Sequence, residues 1–372
     1  MWWKDRGKRL RTRRPISEKT IIFTESVVLS LLCLSFFLFR TEPGQAAMAH
    51  AGKAAAALGL EKMLPQKQEN ATPPEAKSYI KWVDFTVTCE AMNQAFRYDV
   101  DTCQADVHLN WVDLLAYLGA RYGGDFSRYK AADMTQVAEK LKSGETTMEA
   151  LTKDMKYYKY YREAYGAVLD GMVGQFEAQI PASEAPGAYL PSGVTGGAPG
   201  DPETIWVTKY GLKAFSPIAK GFPYSDFDDF GVARSYGFRR QHLGHDLMGQ
   251  VGTPVIAVES GYVEAMGWNQ YGGWRLGIRS FDKKRYYYYA HLRKDYPYQS
   301  NLKEGSYVQA GDVIGYLGRT GYSRTENTNN IDEPHLHFGL QLIFDESQKE
   351  GNNEIWVSCY ELVKFLSMNR SQ

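Results

Sequence analysis

His335-Leu336-His337-Phe338-Gly339-Leu340-Gln341-Leu342-Ile343, residues 335–343, is the stretch whose reading decides the fold. Successive side chains of a β-strand point to opposite faces, so His335 and His337 share one face and two imidazoles enter one pocket from a single strand. Outward from this stretch lie more short β-type segments: Pro254-Val255-Ile256-Ala257-Val258, Gly261-Tyr262-Val263, Trp274 to Ile278, Tyr286 to Ala290, Ser306-Tyr307-Val308 and Val313 to Leu317. Glycine sits between almost every pair, where tight turns need positive φ. Together they predict a mainly antiparallel β domain over 204–372.

Before it, residues 183–203 collect Pro, Gly, Ser and Ala with almost no large apolar side chain, which reads as a linker. Residues 78–182 change character. Trp111, Leu114, Leu115 and Leu118 fall at helical spacing, with Val137, Leu141 and Met148 in later turns, so a small all-α domain is expected there. Residues 40–77, rich in Ala, Gly, Gln, Pro and Lys, suit a tether. A chain of 372 residues, 44% hydrophobic, is long enough for two domains with such connections.

Lys plus Arg equals Asp plus Glu at 43 each, so the whole chain has no electrostatic bias toward nucleic acid. The balance hides a local cluster. Residues 1–20 hold eight basic side chains against Asp5 and Glu18, directly before an apolar run at 21–39. Nineteen helical residues cover roughly 28 Å, about the hydrocarbon thickness of a bilayer. The basic flank predicts a single-pass signal anchor in the bacterial cytoplasmic membrane, with the N-terminus inside and everything after residue 40 outside. The competing expectation is a cleaved signal and secretion, because Ala47-Met48-Ala49 offers a small-x-small site. Of the four cysteines, Cys89 and Cys103 are the obvious partners for a disulfide in an oxidising space.

Five of the seven histidines lie in the β domain. His242 and Asp246 are separated by three residues, and His335 and His337 alternate on their strand. Zinc accepts imidazole nitrogen and carboxylate oxygen, and a catalytic site takes three protein ligands and leaves one position open. The sequence offers more ligands than three.

The blocks His242-Leu243-Gly244-His245-Asp246, Tyr289-Ala290-His291-Leu292 and His335-Leu336-His337-Phe338 resemble the HxxxD, YAHL and HLHF motifs of the M23, or lysostaphin-like, zinc metallopeptidases. Gly252-Thr253-Pro254-Val255, Gly261-Tyr262-Val263 and residues 305–321 also match between the blocks. The resemblance covers roughly 237–342. It implies a groove-bearing antiparallel fold, a peptidoglycan endopeptidase activity and one Zn²⁺ per chain held by His242, Asp246 and His337. It leaves His291 and His335 unligated beside the metal as the catalytic pair. No HExxH glutamate exists in the chain, so a neutral histidine is the natural base. His335 is assigned to the water and His291 to the oxyanion or leaving amine, with the exchange of roles left open.

Three departures from the family pattern stand out. His245 replaces the usual apolar neighbour of the aspartate and is expected to point away from the metal, into packing or a supporting contact. Gly339 stands where an acid is common. The thirteen residues between Gly321 and His335 make a longer loop than usual, expected to rim the groove and set specificity. Tyr286 to Tyr289 after Lys283, Lys284 and Arg285 reads as the core strand that delivers His291, without a nucleic-acid signature. Two rival readings remain: an M23-like scaffold or activator that binds peptidoglycan or a protein without cutting, and a glycan-cleaving helical domain. For the second, Glu90, Asp99, Asp101 and Asp125 show no acid and base spacing. The helical domain is also a candidate binder of an envelope protein.

Overall fold

Thr88 and Asn110 set where the first two helices begin. In the computed structural model, which describes residues 85–181, 204–235, 239–349 and 353–371, the Thr88 hydroxyl accepts from the Ala91 N–H at the head of α1 (Cys89–Thr102). Asn110 accepts from Val112 and Asp113 at the head of α2 (Trp111–Tyr122), which stops at Gly123 with φ 66°. Such side-chain caps satisfy backbone donors that the first turn leaves free, and a left-handed glycine closes the last turn at no steric cost. Helices α3 (Ala131–Lys142), α4 (Met148–Thr152) and α5 (Tyr158–Leu169) follow. Trp111, Leu114, Leu115, Leu118, Val137 and Leu141 are all buried, so the periodic positions do form the helical core. Cys89 and Cys103 are free thiols. They flank one 14-residue helix, whose length of roughly 20 Å rules out a bond between them.

The basic flank at 1–20, the apolar span at 21–39, the tether at 40–77 and the whole of the 183–203 linker lie outside the described residues. Among the described residues, no helix is long and apolar enough to cross a membrane. The ends of the 183–203 segment are nonetheless informative. Strand β1 (Val173–Pro181) pairs antiparallel with β2 (Thr204–Leu212), from Val173 opposite Leu212 to Pro181 opposite Thr204. The segment therefore joins two strands of one hairpin.

Residues 79–372 form one compact unit. The helical segment is bound to the β segment through Trp111, stacked on Phe365 with centroids 5.5 Å apart, and through the Cys89 N–H, which donates to Glu361 at 2.6 Å. Buried Arg285 donates to the Ala167 carbonyl at 3.2 Å and pairs with Glu259 at 2.8 Å.

The β segment begins with the small hairpin β3 (Ala233–Ser235) and β4 (Arg239–Gln241), then β5 (His245–Met248) and β6 (Pro254–Ile256). The long strands β7 (Gly261–Asn269), β8 (Gly273–Ser280) and β9 (Arg285–Ala290) follow as an antiparallel meander. After β10 (Tyr307–Val308) and β11 (Val313–Tyr316) come β12 (His335–Leu342), β13 (Ile355–Val357) and the C-terminal α6 (Tyr360–Leu366). The main sheet runs β10-β7-β8-β9-β12-β13, with β5 also on β12. β12 is thus flanked by β9 on one edge and by β5, then β13, on the other.

This register decides which side chains meet. His337 lies opposite Ala290 of β9 and Asp246 of β5. The alternate face of β12 places Leu336, Phe338, Leu340 and Leu342 in the core, all fully buried. On the open face, glycines let aromatic rings lie flat. A Cβ at Gly277 would sit 1.9 Å from the Tyr286 hydroxyl, and one at Gly339 would sit 2.7 Å from the Trp356 ring. Gly339 is therefore where Trp356 crosses the sheet, and any side chain there would displace it.

Candidate metal centre and groove

Four elements bring the predicted residues together. His242 follows β4, Asp246 lies on β5, His291 follows β9, and β12 supplies both His335 and His337. The His242 Nε2 and His337 Nδ1 atoms are 3.0 Å apart. Asp246 Oδ1 lies 3.1 Å from the first and 2.8 Å from the second. Among the described residues, these three side chains form the group that can hold a metal ion, with ligand atoms all within 4.8 Å. Gly244 makes room for the arrangement, since a Cβ there would fall 2.5 Å from the His337 imidazole.

The donor chemistry fits a cation. His242 Nδ1 lies 2.9 Å from Asp229 Oδ1, within ion-pair distance, and its Nε2 faces Asp246 and His337. Ring nitrogens therefore converge on one point beside a carboxylate. Three ligands 2.0–2.2 Å from a tetrahedral zinc would stand roughly 3.3 Å apart, close to the observed triangle. Burial works to raise the Asp246 pKa, but contacts from His242, His337 and His335 hold it well below the carboxylate range. It stays an anion.

Asp229 and Arg234 complete the support. Arg234 reaches Asp246 Oδ2 at 2.8 Å and also pairs with Asp229. This carboxylate-histidine arrangement fixes the ring and its tautomer, a role that outer groups of metal sites serve generally. Neither residue was legible in the sequence. The acidic run Asp226-Phe227-Asp228-Asp229 was the available signal, but no spacing rule connects it to His242.

His335 and His291 stand beside the triangle, ring centroids 4.8 Å apart. The Nδ1–H of His335 donates to the Glu333 carbonyl at 2.8 Å, and that of His291 to the Thr320 carbonyl at 2.9 Å. A carbonyl only accepts, so both rings carry the proton on Nδ1 and present an Nε2 lone pair. His335 Nε2 is buried, has no hydrogen-bond partner and lies 3.7 Å from Asp246 Oδ2. Burial first, and then His335 and His337, push the His291 pKa well below its ordinary value. His291 also has φ 61°, a left-handed backbone costly for a side-chain-bearing residue, held by its N–H to the Gly272 carbonyl at 2.7 Å. Strain of this kind marks functional sites.

His245 turns the other way, as expected. It is buried, 2.8 Å from Asp226 and edge-on to Tyr360. The long loop rims the groove through Tyr322, whose ring is 5.7 Å from that of His291. Asn327 anchors this loop, accepting from Trp274 Nε1 at 2.9 Å and donating to Asp295 at 2.6 Å. From the histidines an open groove of about 740 Å³ runs across the sheet, past Tyr288, Tyr286 and Arg275 to Glu264 and Lys349.

The motif order, the ligand triangle and the groove agree with one finding. Residues 240–350 match Peptidase family M23. The segment is an M23 domain. Over 124 residues the chain is 40% identical to the L-Ala--D-Glu endopeptidase of Bacillus subtilis (strain 168), covering 33% of this chain and 36% of that protein. Over 98 residues it is 41% identical to lysostaphin of Staphylococcus simulans, covering 26% of this chain and 17% of that protein. Glycyl-glycine endopeptidase ALE-1 of Staphylococcus capitis is 40% identical over 98 residues, 26% of this chain and 24% of that protein. The chain spans about a third or less of the length of these relatives. Their likeness is to the M23 domain, which holds all five predicted polar positions.

Proposed function

We propose that this chain is a zinc endopeptidase hydrolysing peptide bonds in bacterial peptidoglycan, with His242, Asp246 and His337 as ligands and His335 and His291 handling protons. The observation that carries the reading is the convergence of His242 Nε2, Asp246 Oδ1 and His337 Nδ1 beside two imidazoles that each donate from Nδ1 to a backbone carbonyl. The names of three similar proteins, all endopeptidases and one of them a peptidoglycan DD-endopeptidase, support this reading.

Zinc, if held by His242, Asp246 and His337, would supply a Lewis acid for the scissile carbonyl and for water. The residues of the chain do the rest. His335 Nε2, 3.7 Å from Asp246 Oδ2, takes the proton of the attacking water. His291, facing the groove and beside His335, takes that same proton from His335 and passes it to the leaving amine, so that both rings end neutral. Its lowered pKa keeps it neutral and ready to accept at pH 7. Arg234 and Asp229 hold Asp246 and His242 in place while charge develops. The groove floor of Tyr286, Tyr288 and Trp356 gives the substrate flat apolar surface.

Digestion of purified cell walls by the zinc-loaded full chain, followed by mass analysis of released muropeptides, tests the activity. New amino termini are expected. Their absence across several cross-bridge types leaves a scaffold that binds without cutting. For the cell, the basic flank and apolar run support a single-pass anchor through 21–39 with the M23 domain outside. Protease added to intact protoplasts should then remove the M23 domain, and a mature N-terminus near His50 would instead establish release.

A further inference from the structure

We propose that Arg275 is the specificity-determining residue of the groove and binds a free carboxylate of an anionic stem peptide; this rests on the peptidoglycan reading above. Three observations carry it. The first is position. Leu276 of β8 pairs with Tyr289 of β9, so Arg275 and Ala290 are the next opposed positions, and Ala290 pairs with His337. Arg275, Ala290 and His337 stand in one row across the groove floor. Two strand spacings separate Arg275 from the ligand, about 10 Å, the length of about three residues of extended peptide.

The second is charge. Each other cation lining the groove already has carboxylate partners. Arg234 pairs with Asp229 and Asp246, and Lys349 with Glu264 and Glu346, both at 2.8 Å. Among the described residues, no carboxylate lies within ion-pair distance of Arg275. Glu264 is engaged by Arg279 at 2.9 Å as well as by Lys349. The groove thus carries one uncompensated guanidinium.

The third is an open donor. Arg275 Nε is buried without a hydrogen-bond partner, and a buried unmet donor is costly unless a ligand meets it. The backbone beneath it is fixed, since the Arg275 carbonyl accepts from the Tyr298 hydroxyl at 2.7 Å. A guanidinium presented from a rigid strand matches a carboxylate by two parallel hydrogen bonds. Peptides of the stem carry such carboxylates at D-Glu and at their C-terminus, whereas glycine bridges do not.

The test uses the zinc-loaded full chain and two pairs of stem-peptide muropeptides, one pair differing only in a free or an amidated D-Glu carboxylate and the other only in a free or an amidated C-terminal carboxylate; the pair that responds names the source. Wild type should favour the free carboxylate in kcat/KM by about 10- to 100-fold, the usual worth of a charged hydrogen-bonded pair. In Arg275→Gln that ratio should collapse toward one, through a rise in KM for the acidic substrate, and Arg275→Lys should restore part of it. Zinc content and melting temperature identify a variant that folds. A wild-type ratio near one in both pairs, or a ratio unchanged in Arg275→Gln because both substrates lose equally, overturns the inference while leaving the peptidase reading intact. Failure of wild type to cut either peptide or any cell wall overturns the peptidase reading, and the inference with it.

Discussion

Among the described residues, the histidine and aspartate groups around Asp99 and around Asp246 use the same side chains to opposite ends. In the helical segment Asp99, 1% exposed, accepts from His108 Nε2 at 2.9 Å, from the Tyr210 hydroxyl at 2.6 Å and from the Trp111 N–H at 2.8 Å. Every donor there has its acceptor, and the result ties α1, α2 and β2 together. In the β segment Asp246 faces His242, His337 and His335, and lone pairs meet lone pairs. A buried polar network that closes on itself is a strut, whereas one that leaves acceptors converging needs something from outside. The contrast separates structure from site without reference to any relative.

The sharpest way to break this comparison is to remove one ligand. His337→Ala should lose nearly all zinc from the full chain and lower turnover by more than about 10³-fold, since two ligands cannot replace three. Metal analysis of the purified variant checks it, and full zinc occupancy would refute the ligand set. Next in size are His335→Ala and His291→Ala. Both should keep zinc and lose turnover by about 10²- to 10⁴-fold, the worth of a positioned acid or base. Metal and activity then come apart, which a purely structural role for these rings does not allow.

The strut should behave in the reverse sense. Asp99→Ala leaves the His108, Tyr210 and Trp111 donors without their acceptor and should cost about 2–3 kcal/mol of stability. Zinc content and turnover at a temperature where the variant is folded should match wild type. A loss of zinc in Asp99→Ala would mean that the two clusters are coupled through the shared core.

What could be read in advance follows the same division. His335 and His337 were legible because a strand has period two and places both on one face; the helical core was legible because Trp111, Leu114, Leu115 and Leu118 repeat at helical spacing. Asp229, Arg234 and Arg275 were not. Asp229 and Arg234 reach the site from a loop and a short hairpin, and Arg275 from a strand two places away, so their roles depend on register and tertiary approach. The 183–203 segment shows a related limit. Its composition suggested a link between separate bodies, yet composition says nothing of pairing, and the flanking strands β1 and β2 pair with each other. Whether Cys89 and Cys103 pair was open in the sequence; they are free thiols, because a helix holds its two ends apart.

The smallest expected effect concerns pH. Burial and the neighbouring His335 and His337 lower the His291 pKa well below its ordinary value, and burial likewise lowers that of His337. An unfolded histidine titrates near 6.5. Between that value and the depressed folded values, the unfolded chain therefore binds more protons than the folded one, and stability of the metal-free protein rises with pH. It is fully present above about pH 6.5 and is lost as pH falls below it, by at most about 1.4 kcal/mol per pH unit for each ring. Asp246 does not confuse this window. Its pKa is depressed, so its contribution is constant above the ordinary carboxylate range and is lost only at lower pH. Chemical denaturation of metal-free wild type should thus show a decline from pH 7.5 to 5.5, and His291→Gln, which cannot take up the proton, should show a shallower one. Equal slopes would mean that His291 is not held neutral by its burial, and the proton-accepting role given to it would lose its physical basis.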